Sequence, residues 1–300
     1  KGLLKAGEKD KRVVVLCADL AESTRSHWFK EKYPERFIEV GVAEQNMATI
    51  AAGMANYGKI PFISSYAAFS PGRNNEQIRT TISLNNLPVK IGGAHAGVSV
   101  GPDGATHQAL EDIALMRVQP NMVVIYPCDA IEAEKATFVA AFNNKPTYIR
   151  LAREKTPVFT TEKMPFEIGK AQVLREGKNV TIIACGPLVY EALLAANQLE
   201  KMGIFAEVIN NHTVKPMDKK TILTSVKKTG TVVTVEEHQI MGGMGSAVAE
   251  LLAQNFPVPI EFIGMKDCFG QSGTPDELLN FFGLTNPFIV KAVKKALKRK

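Results

Sequence analysis

The feature that most constrains this chain is a series of short apolar, β-branched runs separated by stretches of helical periodicity, and the series occurs twice. RVVVLCAD (12–19), RFIEVG (36–41), PFISSY (61–66), PVKIGGA (88–94), MVVIYPC (122–128) and TYIRLA (147–152) read as strands, with helical patterns at 43–57, 75–86, 107–118 and 129–143 between them. Strands with little polar alternation must be covered on both faces, which predicts a mostly parallel sheet between helical layers. The charged, proline-containing stretch 154–178 breaks the rhythm and reads as a linker with an edge hairpin. The series then restarts with NVTIIACG (179–186), a helix over 188–203, FAEVIN (205–210), TVVTVEE (231–237), a helix near 245–254 and IEFIGM (260–265). The expected architecture is therefore α/β, with two three-layer domains at 1–155 and 179–300 joined by 156–178. MGGMGSAV (241–248) precedes a helix but lacks the G-x-G-x-x-G spacing, so close packing explains its glycines better than a dinucleotide does.

The formal net charge of +6 sits in the last ten residues, KAVKKALKRK, which hold six basic residues and no acid, so the remainder is neutral. That places the basicity on an amphipathic terminal helix, with Val293 and Leu297 inward, and predicts no nucleic-acid face. Cys17, Cys128, Cys185 and Cys268 are widely spaced without a C-x-x-C pair, which predicts neither a disulfide framework nor a zinc site. No apolar run approaches the roughly 20 residues of a membrane span, and KGLLKAGEKDKR at the start has no signal-peptide core. The expectation is a cytoplasmic protein acting without a membrane.

Three polar segments follow strands, where α/β sheets bind ligands. GGAHAGVSVGPDGATHQALEDIALMR (92–117) holds two of the five histidines, His95 and His107, together with Asp103 in a Gly-Pro-Asp-Gly turn; Thr106 is placed to cap the next helix. Asp103 either shapes its turn or serves the site. SSYAAFSPGRNNEQIR (64–79) offers Tyr66 and Phe69, which either clamp a flat ring or belong to the core. ADLAESTRS (18–26), with Asp19 and Ser23, either receives an anion or caps a helix. Arg153 either binds a phosphate or pairs on the surface near Glu154. A fourth feature is Glu44, a carboxylate opening an otherwise small and apolar segment, VGVAEQNMATIAAGMA.

VGVAEQNMATIAAGMA, SYAAFSPGRNNEQIR, AHAGVSVGPDGATHQALEDIALMR, PNMVVIYPCDAIEA and VEEHQIMGGMGSAVAE, taken in order, resemble the C-terminal half of a thiamine-diphosphate enzyme of the transketolase family. The resemblance covers nearly the whole chain and is most specific at D-G-x-T-H-Q followed by the P-N-M strand. It implies a pyrimidine-binding domain followed by the family's C-terminal domain. The diphosphate-binding domain with its G-D-G…N metal motif is not among these 300 residues. Two explanations fit, a natural split enzyme or a fragment of a full-length chain; the SPGRN loop and the ALEDIALMR helix resemble the split form, which implies a separate N-terminal subunit that holds the diphosphate and Mg2+ or Ca2+, an α2β2 assembly, and no metal ligands in this chain.

The resemblance further implies that Glu44 activates the cofactor by hydrogen-bonding its pyrimidine nitrogen, and that Tyr66 and Phe69 enclose that ring. Asp19 and Leu20 match positions lining the thiamine site. His107 and Asp103 match groups that meet hydroxyls of the sugar donor, while His95, Arg153 and Ser23 match groups that hold its phosphate. Phenylalanine is common where Tyr66 stands, so the tyrosine hydroxyl has no counterpart. The implied reaction moves a two-carbon ketol unit between sugar phosphates, with His95 and His107 suited to proton transfer. Related alternatives are a 1-deoxyxylulose-phosphate synthase, which usually has arginine at the His95 position, and a pyruvate dehydrogenase beta subunit, whose loop does not read D-G-A-T-H-Q. A non-catalytic subunit retaining the fold is the alternative of another class.

Overall fold

The computed structural model describes residues 1–300. Twelve strands form two sheets: β1 Val13–Cys17, β2 Phe37–Glu39, β3 Ile60–Tyr66, β4 Lys90–Ala94, β5 Val123–Ile125 and β6 Thr147–Arg150, then β7 Gln172–Arg175, β8 Val180–Ala184, β9 Ala206–Asn210, β10 Thr213–Lys215, β11 Val232–Gln239 and β12 Ile260–Met265. The first sheet has the order β10-β5-β6-β4-β3-β1-β2 and the second β12-β11-β8-β9-β7. Both are parallel except at one edge each, where β10 runs against β5 and β7 against β9. All five residues of β1, and all five of β8, are buried. Helices on both faces account for that burial.

The helices are α1 Gly2–Lys9, α2 His27–Lys32, α3 Glu44–Asn56, α4 Asn75–Gln77 (continuing as a π-turn over Ile78–Ser83), α5 Asp112–Arg117, α6 Ala130–Ala141, α7 Leu188–Glu200, α8 Lys219–Thr229, α9 Met244–Asn255, α10 Pro275–Phe281 and α11 Asn286–Leu297. In α3 the buried face is Met47, Ala48, Ala51, Ala52 and Ala55, an apolar stripe of helical spacing made of good helix formers. In α11, Val293 is fully buried, Leu297 packs at the edge of the second core, and the lysines face out. No helix is long and apolar enough to cross a membrane.

Three expectations are corrected and one feature is new. The helix read over 107–118 begins only at Asp112, because the chain from Ala96 to Ala109 is held by a bridge between those two residues. Thr106 therefore caps nothing; its hydroxyl pairs with His107 Nδ1 at 2.9 Å. The hairpin expected in 154–178 is the single edge strand β7. Finally, β10 leaves the second half of the chain to pair with β5 of the first sheet, so the two sheets are tied by backbone hydrogen bonds. They also share a core in which Met122, Val124 and Tyr126 pack with Ile183, Ile209 and Met244.

Burial draws His212 down to about 4, and Glu236 up to about 7 in the opposite sense. An unfolded chain protonates His212 near its ordinary value of 6.5, ahead of the folded one. The contribution of neutral His212 is thus full above about pH 6.5 and lost as pH falls towards about 4. Thermal unfolding of wild type against His212→Gln across that window is expected to show wild type losing ground as pH falls, with Glu236 common to both.

Candidate active site

Strands β4, β3, β1 and β2 are neighbours in the first sheet, so the loops after their carboxyl ends converge. The loop after β2 delivers Glu44 as the first residue of α3, where its backbone carries no side-chain cap from Ala43 and an acid suits the helix dipole. Glu44 is nevertheless only 1% exposed. Its Oε2 accepts from Arg73 Nη1 at 2.6 Å, its Oε1 from Ser65 Oγ at 3.4 Å, and its backbone carbonyl from Asn74 Nδ2 at 3.0 Å. Glu44 is thus at once a helix-start residue and a buried acid.

The exit of β3 places Tyr66 and Phe69 nearly parallel, with centroids 6.0 Å apart and planes 13° apart. The Arg73 guanidinium lies over the Phe69 ring at 4.6 Å. His95 stacks on Tyr66 at 4.1 Å, and His107 stands edge-on to both Tyr66 and Phe69 at 6.1 and 5.4 Å. Five of the expected residues, Glu44, Tyr66, Phe69, His95 and His107, are therefore joined through aromatic contacts and Arg73.

His95 is buried, has a positive φ of 54°, and its Nδ1 has no hydrogen-bond partner. Burial, reinforced by Arg153, draws it down to about 4. It is therefore neutral near pH 7, with a ring nitrogen free to donate or accept a hydrogen bond. Arg153 Nη1 donates to Val100 O at 2.6 Å and lies 3.2 Å from Asp103 Oδ2, with Glu154 at 3.7 Å from its Nε. The surface pairing of Arg153 is thus observed, and it sits at the mouth of the His95 loop.

The loop after β1 is the looser part. Asp19 is exposed with φ 58°, Leu20 is half-buried with its carbonyl taken by Thr24 Oγ1 at 2.8 Å, and Ser23 is exposed. No hydrogen bond or ion pair joins these three side chains to the aromatic cluster. Glu39, which sequence reasoning missed, orients this loop: its Oε1 accepts from Asp19 N at 2.8 Å and from Gly41 N at 3.0 Å. Arg73 was also missed as an individual residue, although its SPGRN segment was singled out. Arg25, in the same loop as Ser23, adds positive charge that disfavours protonation of His95.

The ensemble is a flat aromatic shelf with a buried carboxylate at one side, two histidines around it and arginines at the mouth. A planar heteroaromatic ring with a basic nitrogen fits the shelf and carboxylate. An anionic polar substrate fits the mouth. No group of three or more His, Cys, Asp or Glu side chains is arranged to hold a metal ion.

Comparison with known proteins agrees with this chemistry. Residues 1–158 match the transketolase pyrimidine-binding domain, and residues 169–289 match the transketolase C-terminal domain. The 6-deoxy-6-sulfo-D-fructose transketolase subunit SqwH of Clostridium sp. (strain MSTE9) is 44% identical over 298 residues, covering 99% of this chain and 92% of that protein. An apulose-4-phosphate transketolase subunit of Phocaeicola vulgatus is 36% identical, covering 99% and 95%. The solved structure of a split-gene transketolase, an inactive beta4 tetramer, superposes with a TM-score of 0.94 at 46% identity, covering 100% of this chain and 96% of that one.

Proposed function

The chain belongs to the transketolase family, carrying its pyrimidine-binding and C-terminal domains, and from that premise we propose that it is the C-terminal subunit of a split transketolase. It works with an N-terminal subunit to move a two-carbon ketol unit from a ketose phosphate to an aldose phosphate. The observation that carries this reading is the Glu44 carboxylate, buried at a helix start and linked through Arg73 to the parallel rings of Tyr66 and Phe69.

Thiamine diphosphate, when bound, supplies the electron sink for carbon–carbon cleavage. Tyr66 and Phe69 would hold its pyrimidine flat, and Glu44 would hold a proton at the ring nitrogen, with Ser65 and Arg73 keeping the carboxyl in place. His107, anchored at Nδ1 by Thr106, presents its other nitrogen to a substrate hydroxyl and moves a proton there. Neutral His95 donates or accepts a hydrogen bond at its unpartnered Nδ1, while Arg153 fixes the anionic end and Asp103 meets a sugar hydroxyl. Ser23 adds a hydroxyl at the same mouth, and Asp19 and Leu20 flank the cofactor. The diphosphate and its Mg2+ or Ca2+ would be held mainly by the partner.

Relatives of nearly the same length are named as transketolase subunits, and the beta4 neighbour is inactive, which supports a missing partner and self-association through this chain, as in an α2β2 enzyme. The relatives' names include a sulfonated fructose and apulose 4-phosphate, so both the sugar and its anionic group vary among relatives. The reading is tested by offering the reconstituted enzyme xylulose 5-phosphate with ribose 5-phosphate, or pyruvate with glyceraldehyde 3-phosphate. Turnover with pyruvate alone would favour the synthase instead.

Calorimetry of the chain alone is expected to show thiamine diphosphate binding at least about 100-fold weaker than in the assembled enzyme, because half of a two-part site loses the advantage of linkage. Tight, magnesium-dependent binding by the chain alone would contradict a divided site.

A further inference from the structure

The loop bearing Asp103 and His107 is gripped by the second domain, which contributes none of the aromatic shelf. Near its end, strand β11 carries Glu236, Glu237 and His238, all buried. Glu237 Oε1 accepts from Ser99 N at 2.6 Å, across 138 positions of sequence. The approach is close enough to require glycine at 97: φ is +92°, and a Cβ there would collide with the same Oε1.

The neighbouring contacts act in the same place. Gln108 Nε2 donates to the carbonyls of Val98, Gly101 and Gln271 at 3.2, 3.1 and 2.9 Å, tying both ends of the loop to the second domain. Gln239 N donates to Leu110 O at 2.9 Å. Arg153 holds Val100 O from the substrate side. Burial raises the Glu237 carboxyl above its ordinary value even with the Ser99 N–H beside it, so the contact is kept at a desolvation cost.

We propose that Glu237 is a positioning residue for the substrate loop: its carboxyl group fixes the turn at Gly97–Gly101 so that His107 stands against the aromatic shelf and Asp103 beside Arg153 at its mouth. This rests on the transketolase reading for the identity of the substrate. The second domain then sets donor binding without touching the donor.

The test compares Glu237→Ala and Glu237→Gln in the enzyme reconstituted with its N-terminal partner. Glu237→Ala is expected to raise the donor KM by about tenfold or more, because the buried Ser99 N–H loses its acceptor, while cofactor affinity is kept. Glu237→Gln retains an acceptor of roughly half the strength and is expected to recover most of that loss. An unchanged KM in Glu237→Ala, with only a lowered melting temperature, overturns the proposal. Hydrogen exchange at Ser99 in the wild-type chain needs no folded variant. Protection comparable to β11 supports the contact, and free exchange overturns it. If wild type itself transfers no ketol unit, the functional reading fails, and Ser99 exchange still decides the loop contact separately.

Discussion

Glu44→Ala is expected to lower ketol transfer by the assembled enzyme by about 10²- to 10⁴-fold, the range for removal of a group acting in proton transfer. The substitution is a clean probe because Glu44 contributes little to holding α3. Packing of that helix rests on Met47, Ala48, Ala51, Ala52 and Ala55, and alanine is the best helix former available at its first position. The cation left behind, Arg73, is 44% exposed at its side chain and can turn to water. Melting temperature should therefore change little while turnover collapses, as measured by product formation at saturating cofactor. Normal turnover by this variant would support a subunit that kept the fold without the chemistry.

The second large effect is on stability. Arg150 and Asp112 form an ion pair at 2.7 Å between side chains that are 0% and 1% exposed, and Tyr148 donates to the same Asp112 oxygen at 2.6 Å. Burial acts to raise Asp112, but Arg150, His238 and Tyr148 outweigh it and hold the carboxyl below its ordinary value. Arg150 also lies over the Tyr126 ring at 4.4 Å and donates to Ala109 O at 3.1 Å. Arg150→Met leaves an unpaired buried carboxylate and is expected to cost about 3–5 kcal/mol, read as a lower urea midpoint. Adding Asp112→Leu removes that stranded charge and should recover much of the loss. A single variant as stable as wild type would contradict the role given to this pair.

How far the sequence reveals this molecule depends on the range of the interaction. β1, β3 and β8 are legible because a strand buried on both faces must be apolar at consecutive positions. α8 went unread: KKTILTSVKKT does bury Ile222, Ser225, Val226 and Thr229 at helical spacing, but two of those four are polar, and its further signals are the Asp218 cap on Thr221 N and the left-handed Gly230 at its end. β10 is three residues long and draws its pairing from the other sheet, which no local pattern records.

The site divides in the same way. Glu44 stood out as an acid in apolar surroundings, and Tyr66, Phe69, His95 and His107 stood out by clustering after strands. Their assignment to roles came from family resemblance, because aromatic spacing alone also describes a core. Arg73, Glu39, Gln108 and Glu237 act through contacts set by the fold, and nothing in their local spacing announces them. The low proton affinity of His95 is likewise a consequence of burial against Tyr66, which composition does not show.

The central claim is that this chain supplies the ring-activating half of a two-carbon transfer enzyme whose diphosphate site lies on another chain. It is tested most directly by combining the chain with its N-terminal partner, thiamine diphosphate, magnesium, xylulose 5-phosphate and ribose 5-phosphate, and measuring the seven-carbon ketose phosphate formed. The account predicts product only when both chains are present, and its loss when Glu44 is replaced. Product from this chain alone, or a well-formed complex of both chains that turns over pyruvate but not the ketose phosphate, would contradict it.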